Sequence, residues 1–185
     1  MRQSESVLYI LDQLDLAEIP YMVGGSVACM NYSIPRATKD FDLVIKIHEP
    51  EFTLFLSAID AHFELDPQVY LESLTGTRRF ILSHRTSAFD VELFILSEDP
   101  HHLEMWHRRF ESILSFCQRR SWTPTAEDMI IQKLRWSRPQ DIIDVEQMIE
   151  IQFPNLDWLY IERWCDIHGT RHVLEEIKAN ITSLD

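Results

Sequence analysis

With 185 residues, 45% of them apolar and 11% aromatic, the chain has material for one packed core and no room for a second large domain. Its 17 Lys and Arg against 30 Asp and Glu leave a formal charge of −13, a field that opposes non-specific nucleic-acid binding despite the local pairs Arg78-Arg79, Arg108-Arg109 and Arg119-Arg120. Cys29, Cys117 and Cys165 are far apart and odd in number, which reads as free thiols in a reducing compartment. The opening MRQSESVLYILDQLDL has acids where a signal peptide needs an apolar run, and no run approaches the ~18 residues of a membrane span; a cytoplasmic location with no membrane partner is expected.

From Ser4 to Leu16, apolar Val7, Leu8, Leu11, Leu14 and Leu16 recur at helical spacing, with Pro20 beyond the end. Tyr21 to Val23 is a short strand running into Gly24-Gly25, and Ser26 to Tyr32 reads as a helix that begins at those glycines. Asp40 to Ile47 is a strand by its β-branched and apolar content, and Glu49 to Phe63 a helix with proline allowed in its first turn. Gln68 to Ser73, Arg78 to Ser83 and Ala88 to Leu96 are three further strands, the first two joined by a turn at Thr75-Gly76-Thr77. Pro100 to Arg109 reads as a helix and Glu111 to Arg120 as a strand-like run. After Thr123-Pro124 come four helical stretches, Thr125 to Ser137, Pro139 to Gln152, Leu156 to His168 and Arg171 to Asn180. The expectation is an α+β chain: a mixed β-sheet flanked by helices over residues 1–122, then a C-terminal α-helical bundle over 123–185.

Side chains alternate across a strand, so Asp40 and Asp42 share one face while Phe41 and Leu43 take the other. The same alternation in AFDVELFIL puts Asp90 with Glu92. If these strands are neighbours, three or four carboxylates meet on one sheet face, where they repel and raise one another's pKa unless a cation sits among them. Hard oxygen ligands that leave room for water and phosphate suit Mg²⁺. A strand ending in Gly24-Gly25-Ser26 and feeding a helix offers unshielded backbone N–H groups and a hydroxyl to phosphate. Phosphate cradle and carboxylates on consecutive elements suit a nucleoside triphosphate.

The order VGGS (Val23 to Ser26), RATKDFDL (Arg36 to Leu43) and FDV (Phe89 to Val91) resembles the DNA polymerase β-like nucleotidyltransferase superfamily. The stretch TAEDMIIQKLRWSRPQDIIDVEQMI, with Glu127, Asp128, Lys133, Arg138, Asp141 and Asp144, is similar to the helical region of the bacterial AbiEii-like, minimal nucleotidyltransferase subgroup of toxin–antitoxin systems. The resemblance implies a nucleotidyltransferase in which Asp40, Asp42 and Asp90 hold two Mg²⁺ ions, and Gly24, Gly25 and Ser26 grip the β- and γ-phosphates of an NTP such as ATP. It gives Arg36 and Thr38 loop-setting or phosphate-contacting roles, makes Lys133 a catalytic cation, and leaves Glu92 as a reserve carboxylate. A nucleoside monophosphate would pass to an acceptor hydroxyl of a protein, a tRNA or a small molecule, with pyrophosphate released. The alternative is a catalytically silent binding or regulatory protein with an antitoxin or a second copy as partner.

Blander readings stand beside these. Asp141 and Asp144, one helical turn apart, also suit an ion-pair network with Lys133. HHLEMWH, with His101, His102, Glu104 and His107, fits no familiar metal spacing and reads as a solvated helix face. Trp158, Tyr160, Ile161, Trp164 and Ile167 are spaced as core packing. A helical DNA-binding protein using Arg135 to Asp144 is disfavoured by the net charge and lacks a helix-turn-helix pattern.

Overall fold

A computed structural model describes residues 3–182. Helix α1 (Gln3–Leu16) leads into β1 (Tyr21–Val23), α2 (Gly25–Cys29), β2 (Asp40–Ile45), α3 (Glu49–Ile59), β3 (Phe63–Leu65), β4 (Tyr70–Glu72), β5 (Thr77–His84) and β6 (Asp90–Ile95). Then follow α4 (Pro100–Arg108), β7 (Phe110–Leu114), β8 (Arg119–Thr123), α5 (Ala126–Trp136), α6 (Pro139–Gln152), a 3₁₀ turn (Phe153–Asn155), α7 (Trp158–His168) and α8 (Arg171–Thr182). No helix among the described residues is long and apolar enough to cross a membrane.

Six strands form a mixed sheet in the order β1-β2-β6-β5-β3, with β4 also pairing to β5. Only β2 and β6 run parallel, and their register sets Asp40 opposite Asp90 and Asp42 opposite Glu92. The strand-like run at Glu111 to Arg120 is in fact a hairpin, β7 against β8, separate from the main sheet and lying beside β1. The helix expected to reach Phe63 stops at Ile59, and Phe63 instead opens β3, where it pairs with His84 and is buried.

One hydrophobic cluster holds Phe41, Leu43, Val91 and Leu93 of the sheet together with Met129, Ile130, Met148 and Ile161 of the helices. The core therefore runs through the boundary expected at residue 122. Helix ends are set by local chemistry. Asp99 caps α4 by accepting from His102 N at 2.9 Å, and Thr125 caps α5 by accepting from Asp128 N. Arg138 caps α6, where the Asp141 carboxylate accepts from the Arg138 N–H at 3.2 Å.

The HHLEMWH segment departs from its expected solvated face. His101 is 0% and His102 4% exposed, and Met105 and Trp106 are buried with them. Helix α4 lies on the sheet, packing Met105 and Trp106 against Met22 and Val44, and its His101 ring meets Trp164 of α7 edge-on at 5.0 Å. In α7, Tyr160, Ile161 and Trp164 are buried as expected, while Ile167 is 61% exposed.

Candidate active site

The glycine pair is asymmetric. Gly24 is extended, and its N–H donates to the Asp42 carbonyl at 2.8 Å, tying the end of β1 to β2. A Cβ on Gly24 would lie 3.7 Å from that of Asp42, an ordinary contact. Gly25 has φ +53°, and a Cβ there would sit 1.6 Å from Asp42 Oδ2. The second glycine is thus demanded twice, by backbone conformation and by the carboxylate packed against it. Ser26 Oγ accepts from Arg36 Nη2 at 2.6 Å. The same guanidinium donates to both Asp144 oxygens at 3.2 Å, joining the glycine turn to α6.

A cleft of about 840 Å³ opens at this turn, large enough for a small-molecule substrate. Gly25, Ser26, Asp40, Asp42 and Glu92 line its sheet side, with Trp136, Arg138 and Asp141 on the helical side. Asp90 pairs in register with Asp40 but is outside this lining; Glu92, in register with Asp42, takes part in it. Burial, then the charges of Glu92 and Asp40, push the Asp42 carboxyl up to about 7. Thr38 Oγ1 donates to Asp40 Oδ1 at 2.5 Å, and Arg79 Nη1 pairs with Glu92 Oε2 at 2.8 Å. Neither Arg79 nor the lining residues Glu72, Phe94 and Trp136 carries a sequence signal, because only the pairing of β4 and β6 with β5 and the end of α5 bring them here.

Among the described residues no three His, Cys, Asp or Glu side chains meet closely enough to enclose a metal ion. The donor chemistry nevertheless fits Mg²⁺. Mg²⁺ sites commonly use one or two carboxylates and complete the shell with water and substrate phosphates. Asp40 and Asp42 on one strand, with Glu92 beside them, supply that partial set of hard oxygens.

Lys133 lines the cleft yet is only 2% exposed, and it donates to Asp141 Oδ1 at 2.9 Å and Asp144 Oδ2 at 2.7 Å. Arg138 Nε meets the other Asp141 oxygen at 2.6 Å. A chain of contacts therefore runs from Ser26 through Arg36, Asp144, Lys133 and Asp141 to Arg138 at the cleft edge. Burial alone would raise the two aspartates; hydrogen bonds from Arg138 and Lys133 to Asp141, and from Arg36 and Lys133 to Asp144, hold both below the usual carboxylate range.

Asp128 belongs to a second buried group outside the cleft lining. The Tyr160 hydroxyl donates to it at 2.6 Å, Thr125 Oγ1 at 2.9 Å and Arg108 Nε at 3.1 Å, with His101 Nε2 3.4 Å away. Arg108 also lies 3.9 Å over the Tyr160 ring. This group ties α4, α5 and α7 together. Glu127 accepts from the Asp157 N–H at 3.2 Å, a further tie between α5 and α7.

The fold is shared with solved nucleotidyltransferases. ANT(2")-Ia in complex with adenylyl-2"-tobramycin superposes with TM-score 0.62 at 15% identity, over 93% of this chain and 99% of that one. An antigenic nucleotidyltransferase-like protein from Paracoccidioides brasiliensis gives 0.58 at 20% identity over 95% and 91% of the two chains. The lincosamide antibiotic adenylyltransferase LnuA, lincomycin-bound, gives 0.55 at 12% over 82% and 98%. Residues 5–181 match the model of the family described as nucleotidyltransferase of unknown function (DUF6036), and the chain belongs to that family. No curated protein matches it.

Proposed function

We propose that the protein transfers a nucleoside monophosphate from an NTP to an acceptor hydroxyl in an Mg²⁺-dependent reaction. The observation that carries this reading is the contact of Gly25 with Asp42: the turn offered to phosphate and the carboxylates offered to a cation form one surface inside one cleft. Gly25 and Ser26, with Arg36 behind the serine, take the β- and γ-phosphates. Asp40 and Asp42 hold the cation, and Glu92 joins them in preference to Asp90 because it lines the cleft. Bound Mg²⁺ supplies neutralisation of phosphate charge and a more acidic acceptor hydroxyl. The acceptor oxygen bonds to the α-phosphorus as its proton passes to solvent, the bond to the bridging β-phosphate oxygen breaks, and pyrophosphate leaves. Lys133, already bound by two aspartates, acts by holding the helical wall in place.

The acceptor is a protein, a tRNA or a small molecule; the adenylylated tobramycin and the lincomycin in the neighbours' complexes support testing aminoglycosides and lincosamides first. Each α-labelled NTP, with Mg²⁺ and either cell extract or these compounds, is expected to label an acceptor with wild type. Asp40→Asn and Asp42→Asn should abolish labelling, and Glu92→Gln should cost more than Asp90→Asn. No label with any triphosphate, alongside intact nucleotide binding, would favour the second reading, a silent binding module of a toxin–antitoxin pair; the engagement of Glu92 by Arg79 is the observation on that side.

A further inference from the structure

Of the acids that line the cleft, Asp40, Asp42 and Glu92 sit on the adjacent strands β2 and β6, and these three are not equally neutralised. Among the described residues Asp40 and Asp42 make no ion pair; Asp40 has the Thr38 hydroxyl only. Of the three, Glu92 is the one in direct ion contact with a cation, Arg79 from the neighbouring strand β5, whereas Lys133 and Arg138 act on Asp42 only through space. That arginine is built in. Its backbone sits opposite Phe94 and Tyr70 in register, its guanidinium lies 5.0 Å from the Tyr70 ring centre, and the Tyr70 hydroxyl is anchored on Asp66 Oδ2 at 2.9 Å. The pair is partly shielded, with 31% of the Arg79 side chain and 17% of that of Glu92 exposed.

Resting on the nucleotidyltransferase reading, we propose that Arg79 is a resident counter-cation that ties cation binding in this cleft to the arrival of a triphosphate. With the cleft empty, Arg79 occupies Glu92, so a divalent cation alone meets a smaller negative charge and must compete for that carboxylate. A triphosphate offers Arg79 a second, denser anion lining the same cleft. Once the guanidinium turns to phosphate, Glu92 is released toward the cation. The two ligands then bind better together than separately, because each removes a cost the other would meet alone. Arginine suits the exchange, since its planar fork matches carboxylate and phosphate alike.

The test uses Mn²⁺ alone, inorganic tripolyphosphate alone and their complex as probes, titrated into wild type, Arg79→Met and Glu92→Gln. Arg79→Met is expected to bind Mn²⁺ alone about tenfold more tightly and Mn²⁺–tripolyphosphate about tenfold more weakly, the size of an ordinary coupling between sites. Glu92→Gln, which frees the guanidinium without touching β5, should bind tripolyphosphate alone several-fold more tightly. If Arg79→Met binds Mn²⁺ no more tightly than wild type, or Glu92→Gln leaves tripolyphosphate affinity unchanged, while the complex still binds wild type, the coupling role is overturned and the nucleotidyltransferase reading stands. No binding of any probe to wild type would overturn both.

Discussion

A carboxylate packed against a glycine is the most demanding contact in the cleft, and its demands fall on one residue of the pair. Gly25→Ala must place a methyl group 1.6 Å from Asp42 Oδ2 at φ +53°. The backbone conformation alone costs about 1–2 kcal/mol, and the carboxylate must also swing away. Gly24→Ala meets nothing closer than 3.7 Å. Transfer assays and thermal unfolding should therefore find Gly25→Ala inactive and destabilised, and Gly24→Ala near wild type in stability. Asp42 carries a second expectation. Its carboxyl is raised from 3.8 to about 7, by burial first and then by Glu92 and Asp40, so the folded protein holds this proton where the unfolded chain has lost it. Stability from the protonated form is complete below 3.8 and disappears as pH rises through about 7. Without divalent cations the melting temperature should fall across that window, and Asp42→Asn should flatten the fall. At this scale the sequence was informative where residues act through neighbours in the chain: Asp40 with Asp42, and Gly25 with Ser26. It was silent on Arg79, whose partner is 13 residues away on another strand.

Elements show the same division. The starts of α4, α5 and α6 are readable because Pro100, Thr125 and Pro139 stand at or beside them in the chain. The end of α3 is not readable, because Phe52, Phe55, Ile59 and Phe63 are all buried at helical spacing and no Gly or Pro marks the stop. The β7–β8 turn was hidden for a related reason: its left-handed position is filled by Gln118 at φ 54° instead of the glycine or asparagine that announces a hairpin. Between α5 and α6 the decisive interaction is ionic. Lys133→Met would remove a buried ammonium from two buried aspartates, whose remaining partners are Arg36, Arg138 and Gln140. A loss of about 3 kcal/mol in denaturant unfolding is expected. Lys133→Arg should not restore it, since the larger guanidinium has no space at a position 2% exposed.

At the scale of the molecule, the shared core joins the sheet-rich and helical stretches that the order of elements divides at residue 122. Met129, Ile130, Met148 and Ile161 pack in the same cluster as Phe41 and Val91, so a chain ended at residue 122 would leave the sheet with an uncovered apolar face. Such a fragment should show no cooperative unfolding transition by circular dichroism, whereas the full chain should show one. The formal charge of −13 bears on partners and not on the fold. It favours a cationic acceptor over a polyanionic one, and added salt should weaken capture of a cationic acceptor.

Arg36 gives the helical half a stake in the chemistry of the sheet. One guanidinium holds the Ser26 hydroxyl and the Asp144 carboxylate together, Arg36 itself lying 108 residues before Asp144. Damage to α6 will therefore be felt as slack in the serine loop. In an unbiased screen for lost function, substitutions at Asp144 would be mistaken for lesions of the proposed nucleotide site, although Asp144 is not among the residues lining the cleft.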